Sequence, residues 1–532
     1  MSFTRDITSG NNVYRYEVTS YWDKEKKSPR QKVKYLGKVV KDHEGKEEIL
    51  RKHFLVDSFE KSTPVGELAA YFRIANDLEL RGIINKCCPK SGPEPGISIL
   101  VLAFNQLINR YSLSRVGDWF RDSPLPKWFE TDLEITKDVL LGALDSLCRV
   151  EKGKVSHYGW KVQQEIVNQW KSHYGMDDQR LYYDVTRLRY YGTTCTLAEK
   201  GRKSRGDEKE IGVALVTSQK NCFPVLCRPI PGAKHDSITV RDVITALWSW
   251  GIRDAMLIMD RGMVSTLNLK YAVKKGYNLL LGGSETSIDV LREMSRWSDE
   301  ELMGPENIFE WGEKKFVYLK GSKGQMLGTE GKSIIVLDPI RLAEERTARD
   351  WMLKELESPS TSEKRKEELR KSLERGLSHD LGDLQPEDSM ARLHRYDQVK
   401  RRDGRFLLFS TKKSIGEADA FRWYFQKDEI EKAFRSLNNE VNLIPVRYRI
   451  PERIEAYLTV NFIAYLLLAV AQHKLRLKKD KRSVSKVMYE ARKITQIEFI
   501  SKGKMRSTLI QPTHLQQKVI DLLEIKDLLP KT

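Results

Sequence analysis

The stretch YFQKDEIEKAFRSLNNEV, residues 424–441, sets several kinds of reactive side chain at helical spacing. At about 100° per residue, Tyr424, Lys427, Glu431, Arg435 and Asn438 fall within roughly 80° of one another. One stripe therefore holds an aromatic hydroxyl, two cations, a carboxylate and an amide. Beside it runs an apolar stripe of Ile430, Ala433, Phe434, Leu437 and Val441, which faces a core. A solvated amphipathic helix has the same pattern. Two upstream aspartates set this one apart. Asp184 lies inside the apolar and aromatic run LYYDVTRL, and Asp260 closes AMLIMDRG. Burying a carboxylate is costly unless it is paired or bound to a metal, and Arg187 and Arg261 are the nearby arginines that could pair with these two. If Asp184, Asp260 and Glu431 converge, they offer oxygen ligands for hard divalent cations. Two such ions roughly 3.5–4 Å apart activate a water or a 3′-hydroxyl and stabilise the departing oxygen of a phosphodiester. Mg²⁺ is the expected ion, with Mn²⁺ as a substitute. Lys427 and Arg435 would offset the negative charge that spreads in the transition state. Asp428, one turn before Glu431, is the competing carboxylate; Asp236, in AKHDSITV, is explained by a helix cap.

The elements that must position these residues begin at Arg180. RLYYDVTRLRYY, EIGVALVTS and FPVLCRPIPG form three successive antiparallel strands. SITVRDVITALWSWG follows as a helix, AMLIMDRG as a short strand, STLNLKYAVKKG as a helix and YNLLLGG as a strand. That is the order of a ribonuclease H-like α/β domain, where the first and fourth strands are neighbours and a late helix crosses them. Residues 180–283 are then the first part of the core, and residues 424–475 its second part with the Glu431 helix. Between them, residues 284–423 form a β-rich and helical insertion subdomain. Its strands are IFEWGEKKFVYLKG, KSIIVLDP and RFLLFST, and its charged helix is SEKRKEELRKSLERG. Within it, GQMLGTEGKS looks like a phosphate loop, but Met326 replaces the first glycine and a strand follows; it is a hairpin turn.

Upstream, residues 1–60 make a basic β-hairpin region, with the hairpin over 13–40, and residues 61–179 are mainly helical. In the latter, SILVLAFNQLINRYSLSRVGDWF breaks near Tyr111 and Ser112, as either a DNA-reading helix-turn-helix or a plain helical hairpin would. Residues 476–532 form a basic helical tail, whose LRLKKDKRSVSK either touches phosphates or is a solvated face. The 532-residue chain has a net charge of +18, which points to a polyanionic partner, nucleic acid before an anionic membrane surface. The opening MSFTRDITSGNN lacks the apolar core of a signal peptide. The longest apolar run, Ala456 to Ala471, is shorter than a membrane span and is expected to be a buried helix. Cys87, Cys88, Cys148, Cys195, Cys222 and Cys227 show no CxxC and no zinc spacing to histidine, so reduced, structural cysteines of an intracellular protein are expected. Trp297, Trp311 and Trp423 are expected to pack in the core rather than stack on a flipped base.

YYDVTRL, IMDRG and the spacing Y-x2-K-x3-E-x3-R resemble the cut-and-paste DDE transposases of prokaryotic insertion sequences. The branch is the one with a Tyr-Arg-Glu-Lys signature and a large insertion before the glutamate. The likeness runs from KYLGK to the apolar helix after Arg453. It implies that Asp184, Asp260 and Glu431 are the catalytic, metal-binding carboxylates and that Tyr424, Lys427 and Arg435 bind DNA. Lys427 stands where arginine is usual, losing the bidentate fork on phosphate. Asn438 stands where the lysine belongs. The implied activity is Mg²⁺-dependent cleavage at terminal inverted repeats and strand transfer into target DNA. A homodimer on double-stranded DNA, in the cytoplasm at the nucleoid of a prokaryote and away from membranes, goes with it. A ribonuclease H-like nuclease or resolvase without strand transfer, and an inactivated, domesticated DNA-binding protein, are the alternatives.

Overall fold

The strand that bears Asp184, β1 (Arg180–Tyr190), lies well inside a ten-stranded sheet in the computed structural model. Its segment Leu181, Tyr182, Tyr183 is buried. On one side β2 (Lys209–Ser218) and β3 (Pro224–Pro231) pair antiparallel; on the other β4 (Met256–Met259) and β5 (Asn278–Gly282) pair parallel. Helix α1 (Asp236–Ser249) links β3 to β4, and α2 (Thr266–Lys274) links β4 to β5. The strand order is β3-β2-β1-β4-β5; the three antiparallel strands and the pairing of the first with the fourth are as expected, and the parallel β4–β5 pairing completes the sheet here. The structure describes all residues except 1, 10–11, 24–27, 42–46, 51–56, 90–91, 176–178, 202–207, 264, 284–287, 313–314, 375–399, 440–442, 444–445, 447, 502 and 531–532. The side chains of 2, 12, 23, 40–41, 47–50, 288, 370–374, 428–429, 434 and 437–439 also lie outside the description.

The strands expected in the insertion do not form a sheet of their own. β6 (Ile308–Glu310), β7 (Phe316–Met326), β8 (Thr329–Leu337) and β9 (Arg405–Ser410) extend the core sheet, because β9 pairs antiparallel with β5. The β7–β8 connection is the expected hairpin turn: Leu327 and Gly328 both take positive φ, 49° and 72°. Helices α3 (Pro339–Glu357) and α4 (Glu363–Glu374) leave this half of the sheet, the second matching the charged SEKRKEELRKSLERG.

Three helices follow: α5 (Glu417–Phe425), α6 (Asp428–Asn439) and α7 (Pro451–Leu477). At 27 residues α7 is long and apolar enough to cross a membrane by length and composition, longer than the run read from sequence, and its apolar window is buried inside the protein. It packs on β3 and on the helices Gly66–Asp77 and Pro95–Ile108, so its apolar surface is covered all round. The break near Tyr111 separates Pro95–Ile108 from Leu113–Asp122.

Both ends of the chain depart from expectation. The N-terminal hairpin is the middle of a four-stranded sheet, Ser2–Ser9, Asn12–Asp23, Ser28–Lys41 and Glu47–Leu50. The C-terminal tail is not wholly helical. After the helix Val484–Arg492, strands Thr495–Ser501 and Lys504–Leu509 form a hairpin that pairs with Ser58–Pro64, before a last helix His514–Leu523. A short alternating run such as TQIEFIS becomes a strand when a distant edge completes its ladder, which local pattern does not reveal.

Candidate active site

Register places the two aspartates together. In the parallel β1–β4 ladder Met259 lies opposite Tyr183, so the residues that follow, Asp260 and Asp184, are level on adjacent strands, whose spacing is about 4.8 Å. Side chains alternate along β1. The Tyr183 hydroxyl meets Thr239 of α1 on one face, whereas the Tyr182 hydroxyl donates at 3.0 Å to the Trp423 carbonyl of α5 on the other. Asp184 shares the Tyr182 face, and α6 packs on β1. Asp184 Oδ1 accepts the Val185 N–H and Asp260 Oδ1 the Arg261 N–H, each at 2.8 Å.

Arg187 is turned away from Asp184. It pairs with Asp236 and donates to the carbonyls of Gly232 and Lys234. The expected cap at Asp236 is therefore corrected: Asp236 is the first residue of α1, and the His235 ring accepts the Ser237 N–H at 3.2 Å in the capping position. Asp260 takes Lys427 as its cation, with Nζ 3.3 Å from Oδ1.

The single helix expected over 424–441 is broken into α5 and α6 at Gln426 and Lys427. The Lys427 N–H closes a tight turn on the Tyr424 carbonyl at 3.1 Å, and Gln219 donates to the Gln426 side chain at 2.7 Å. The two helices answer to different neighbours. Phe421 and Phe425 of α5 pack on each other at 4.4 Å, and Phe425 on Phe406 of β9 at 5.9 Å, while α6 lies on β1. Across the break, Tyr424 and Lys427 reach Asp260, and the charge of Glu431 is felt at Asp184. Arg435 is exposed on α6 and makes no ion pair with a described residue. The side chains of Asp428, Phe434, Leu437 and Asn438, and all of Val441, lie outside the described residues.

Burial pushes Asp184 up to about 6 from its ordinary 3.8; the Val185 N–H and Lys427 oppose the rise, and Asp260 and Glu431 add to it. Burial also raises Tyr424, and the neighbouring Asp260 raises it further, so its hydroxyl stays protonated as a donor. Asp260 and Asp184 thus both feel the ammonium of Lys427, with Glu431 adding negative charge at Asp184. Next to Asp260 opens a cleft of ≈ 980 Å³, lined by Arg261, Trp311, Phe406, Phe421 and Tyr424 among others. Phe406 was not singled out from the sequence, because RFLLFST signals only a strand. The three tryptophans are half-buried against the core and not inside it: Trp311 lies edge-on to Phe421 at 5.4 Å and lines the cleft, Trp423 lies under the Arg180 guanidinium at 4.8 Å, and Trp297 against Lys320 at 4.5 Å.

No protein-family model and no curated protein matches the chain. Among solved structures it is similar to a piggyBac transposase synaptic complex with hairpin DNA, determined by cryo-EM. The match covers 81% of this chain and 82% of that chain at 10% identity and a TM-score of 0.37. A likeness that low leaves the reading of the site to its own geometry.

Proposed function

We propose that this protein is a transposase that binds the terminal inverted repeats of its own element, cuts them and joins the freed 3′-hydroxyls to target DNA. The observation that supports it most is the level placement of Asp184 and Asp260 on adjacent parallel strands, beneath the helix that brings Glu431 to Asp184. The core is read as ribonuclease H-like on its strand order. The donor set is all oxygen and carries more negative charge than Lys427 balances, which fits a hard divalent cation. Asp184, Asp260 and Glu431 would hold Mg²⁺, or Mn²⁺ in its place. Bound there, the metal would activate the attacking oxygen and stabilise the leaving one.

The remaining groups would position DNA. Lys427 and the exposed Arg435 supply positive charge on the side where a phosphate backbone would lie, and the buried Tyr424 would contact DNA by exchanging its hydrogen bond to Asp260 for one to phosphate. The net charge of +18 favours DNA over the rest of its path. Coordinated cutting of two ends calls for a homodimer on DNA.

The test is cleavage of a DNA fragment carrying the element's terminal repeat, by wild type and Glu431→Ala, in Mg²⁺ and in EDTA. Nicking at the element boundary, present only for wild type in Mg²⁺ and followed by joining to a target plasmid, is the expected result. Boundary nicking without joining would reduce the protein to a nuclease. DNA binding with no cutting would make it an inactive DNA-binding relative, and cutting that survives Glu431→Ala would shift the third ligand to Asp428.

A further inference from the structure

Away from the carboxylate site, one cluster of metal-ligand side chains joins three elements. Cys148 caps the C-terminus of helix Lys137–Leu147, His157 caps the N-terminus of helix Tyr158–Tyr174, and Glu455 lies in the second turn of α7. Cys148 Sγ is 3.9 Å from His157 Nδ1, which is 2.8 and 2.9 Å from the two carboxylate oxygens of Glu455. One ligand atom from each residue lies within 4.8 Å of the other two. Cys148 and Glu455 are 2% and 6% exposed, while the His157 ring reaches solvent along one edge.

Without a metal, Glu455 is hydrogen-bonded by both His157 and the Cys148 thiol; on metal binding the thiol proton would leave and the same three side chains would turn their ligand atoms to the ion. Around a tetrahedral zinc, ligand atoms at the usual bond lengths sit about 3.4–3.6 Å apart. The nitrogen–oxygen and nitrogen–sulfur edges reach those separations if the imidazole moves roughly half an ångström from the carboxylate toward the thiol, and the sulfur–oxygen edge, within 4.8 Å, needs a further turn of the Glu455 carboxylate or the Cys148 side chain. The imidazole is already oriented: it stacks flat on Trp160, centroids 3.8 Å apart and planes 4° apart, and Arg228 covers the Trp160 ring at 3.7 Å. Glu452, one turn before Glu455, adds negative field at the sulfur, and Arg228 offsets part of it at Glu455. A mixed sulfur, nitrogen and oxygen set selects a borderline ion over Mg²⁺ or Ca²⁺.

We propose that Cys148, His157 and Glu455 bind a Zn²⁺ ion, with a water completing the fourth position at the solvent edge of His157. The ion would clip the helical N-terminal region to α7, the helix that follows the Glu431 helix. Glu455 is 298 residues from His157, which is why cysteine–histidine spacing alone gave no zinc signal. The proposal does not rest on the transposase reading, and its test involves neither DNA nor catalysis.

The full-length protein, stripped of metal, is titrated with Co²⁺ and then with Zn²⁺. About one equivalent of Co²⁺ should produce thiolate-to-cobalt charge-transfer absorption, removed by Zn²⁺ but not by excess Mg²⁺. Cys148→Ser should abolish that absorption, and Glu455→Gln should weaken Zn²⁺ binding on the order of 10–100-fold or more. Cys148→Asp, which keeps an anionic ligand, should bind Co²⁺ without the charge-transfer band and guards against a loss due to misfolding. Absence of the band in wild type, its survival in Cys148→Ser, or Zn²⁺ affinity unchanged in Glu455→Gln would overturn the assignment.

Discussion

Two charged clusters on the same sheet are balanced in opposite ways. In the insertion half, Arg405 of β9 is wholly buried and donates to Asp299 at 2.6 Å and to the carbonyls of Met294 and Trp297 at 2.7 and 2.8 Å. Arg346 of α3 also grips Asp299; Arg349 pairs with Asp403 at 2.6 Å, although burial still raises that carboxyl. Burial alone would raise Asp299, but the hydrogen bonds from Arg346 and Arg405 outweigh it and hold the carboxyl below its usual range. In the core half, Lys427 pairs with Asp260 and is felt at Asp184, Glu431 adds negative charge there, and Asp184 rises to about 6. The first cluster gives its carboxylate two guanidinium partners and serves as an anchor. The second leaves its carboxylates less compensated, as the proposed metal site would require. Strained electrostatics of this kind concentrate where chemistry is done.

The largest test of this contrast is Arg405→Met, which strips Asp299 of one partner and leaves two buried carbonyls without a donor. Stability in urea should fall by about 3–5 kcal/mol. A loss under about 1 kcal/mol would mean that the anchor is no anchor. Asp184→Asn should act the other way. Because the folded-state pKa of Asp184 lies above the unfolded value, its favourable contribution is fully present below about pH 4 and is lost as pH rises through about 6. The metal-free variant should therefore match wild type at pH 4 and exceed it at pH 8 by about 1–2 kcal/mol, after discounting for partial exposure. If it is less stable than wild type at pH 8, Asp184 is a satisfied structural carboxylate.

Lys427→Gln sharpens the same point. Removing the ammonium beside Asp260 should tighten Mg²⁺ binding to the DNA-free protein by about 3–10-fold, from about 1 kcal/mol of lost competition. Isothermal titration reads the change, and weaker binding would show that Lys427 supports the metal instead of competing with it. At the small end, Lys413→Ala breaks the exposed Lys413–Glu330 pair and should leave the thermal midpoint unchanged within error. A measurable drop there would blur the distinction between buried and surface pairs.

Much of the core was legible because its signals are local. The apolar runs around Asp184 and before Asp260 read as buried strands, and the order of strands and helices after Arg180 suggested a sheet in which the first and fourth would be neighbours. The helical spacing of Lys427, Glu431 and Arg435 was likewise present in the sequence, as was the hairpin turn at Leu327 and Gly328. The limits were those of local pattern. A continuous helix over 424–441 satisfied every periodicity, yet α5 follows the aromatic side chains of β9 and α6 follows β1, so the chain turns at Gln426.

By itself, then, the sequence determined the strands that carry or lead into Asp184 and Asp260, the helix that bears Glu431, and the net charge of +18. The tertiary structure alone decided who meets whom. It gave Arg187 to Asp236 and Lys427 to Asp260, joined the insertion strands to the core sheet, paired Ser58–Pro64 with Thr495–Ser501, and gathered Cys148, His157 and Glu455. Periodicity records which face of an element avoids water. Partner choice depends on packing between segments hundreds of residues apart, and no local spacing encodes it.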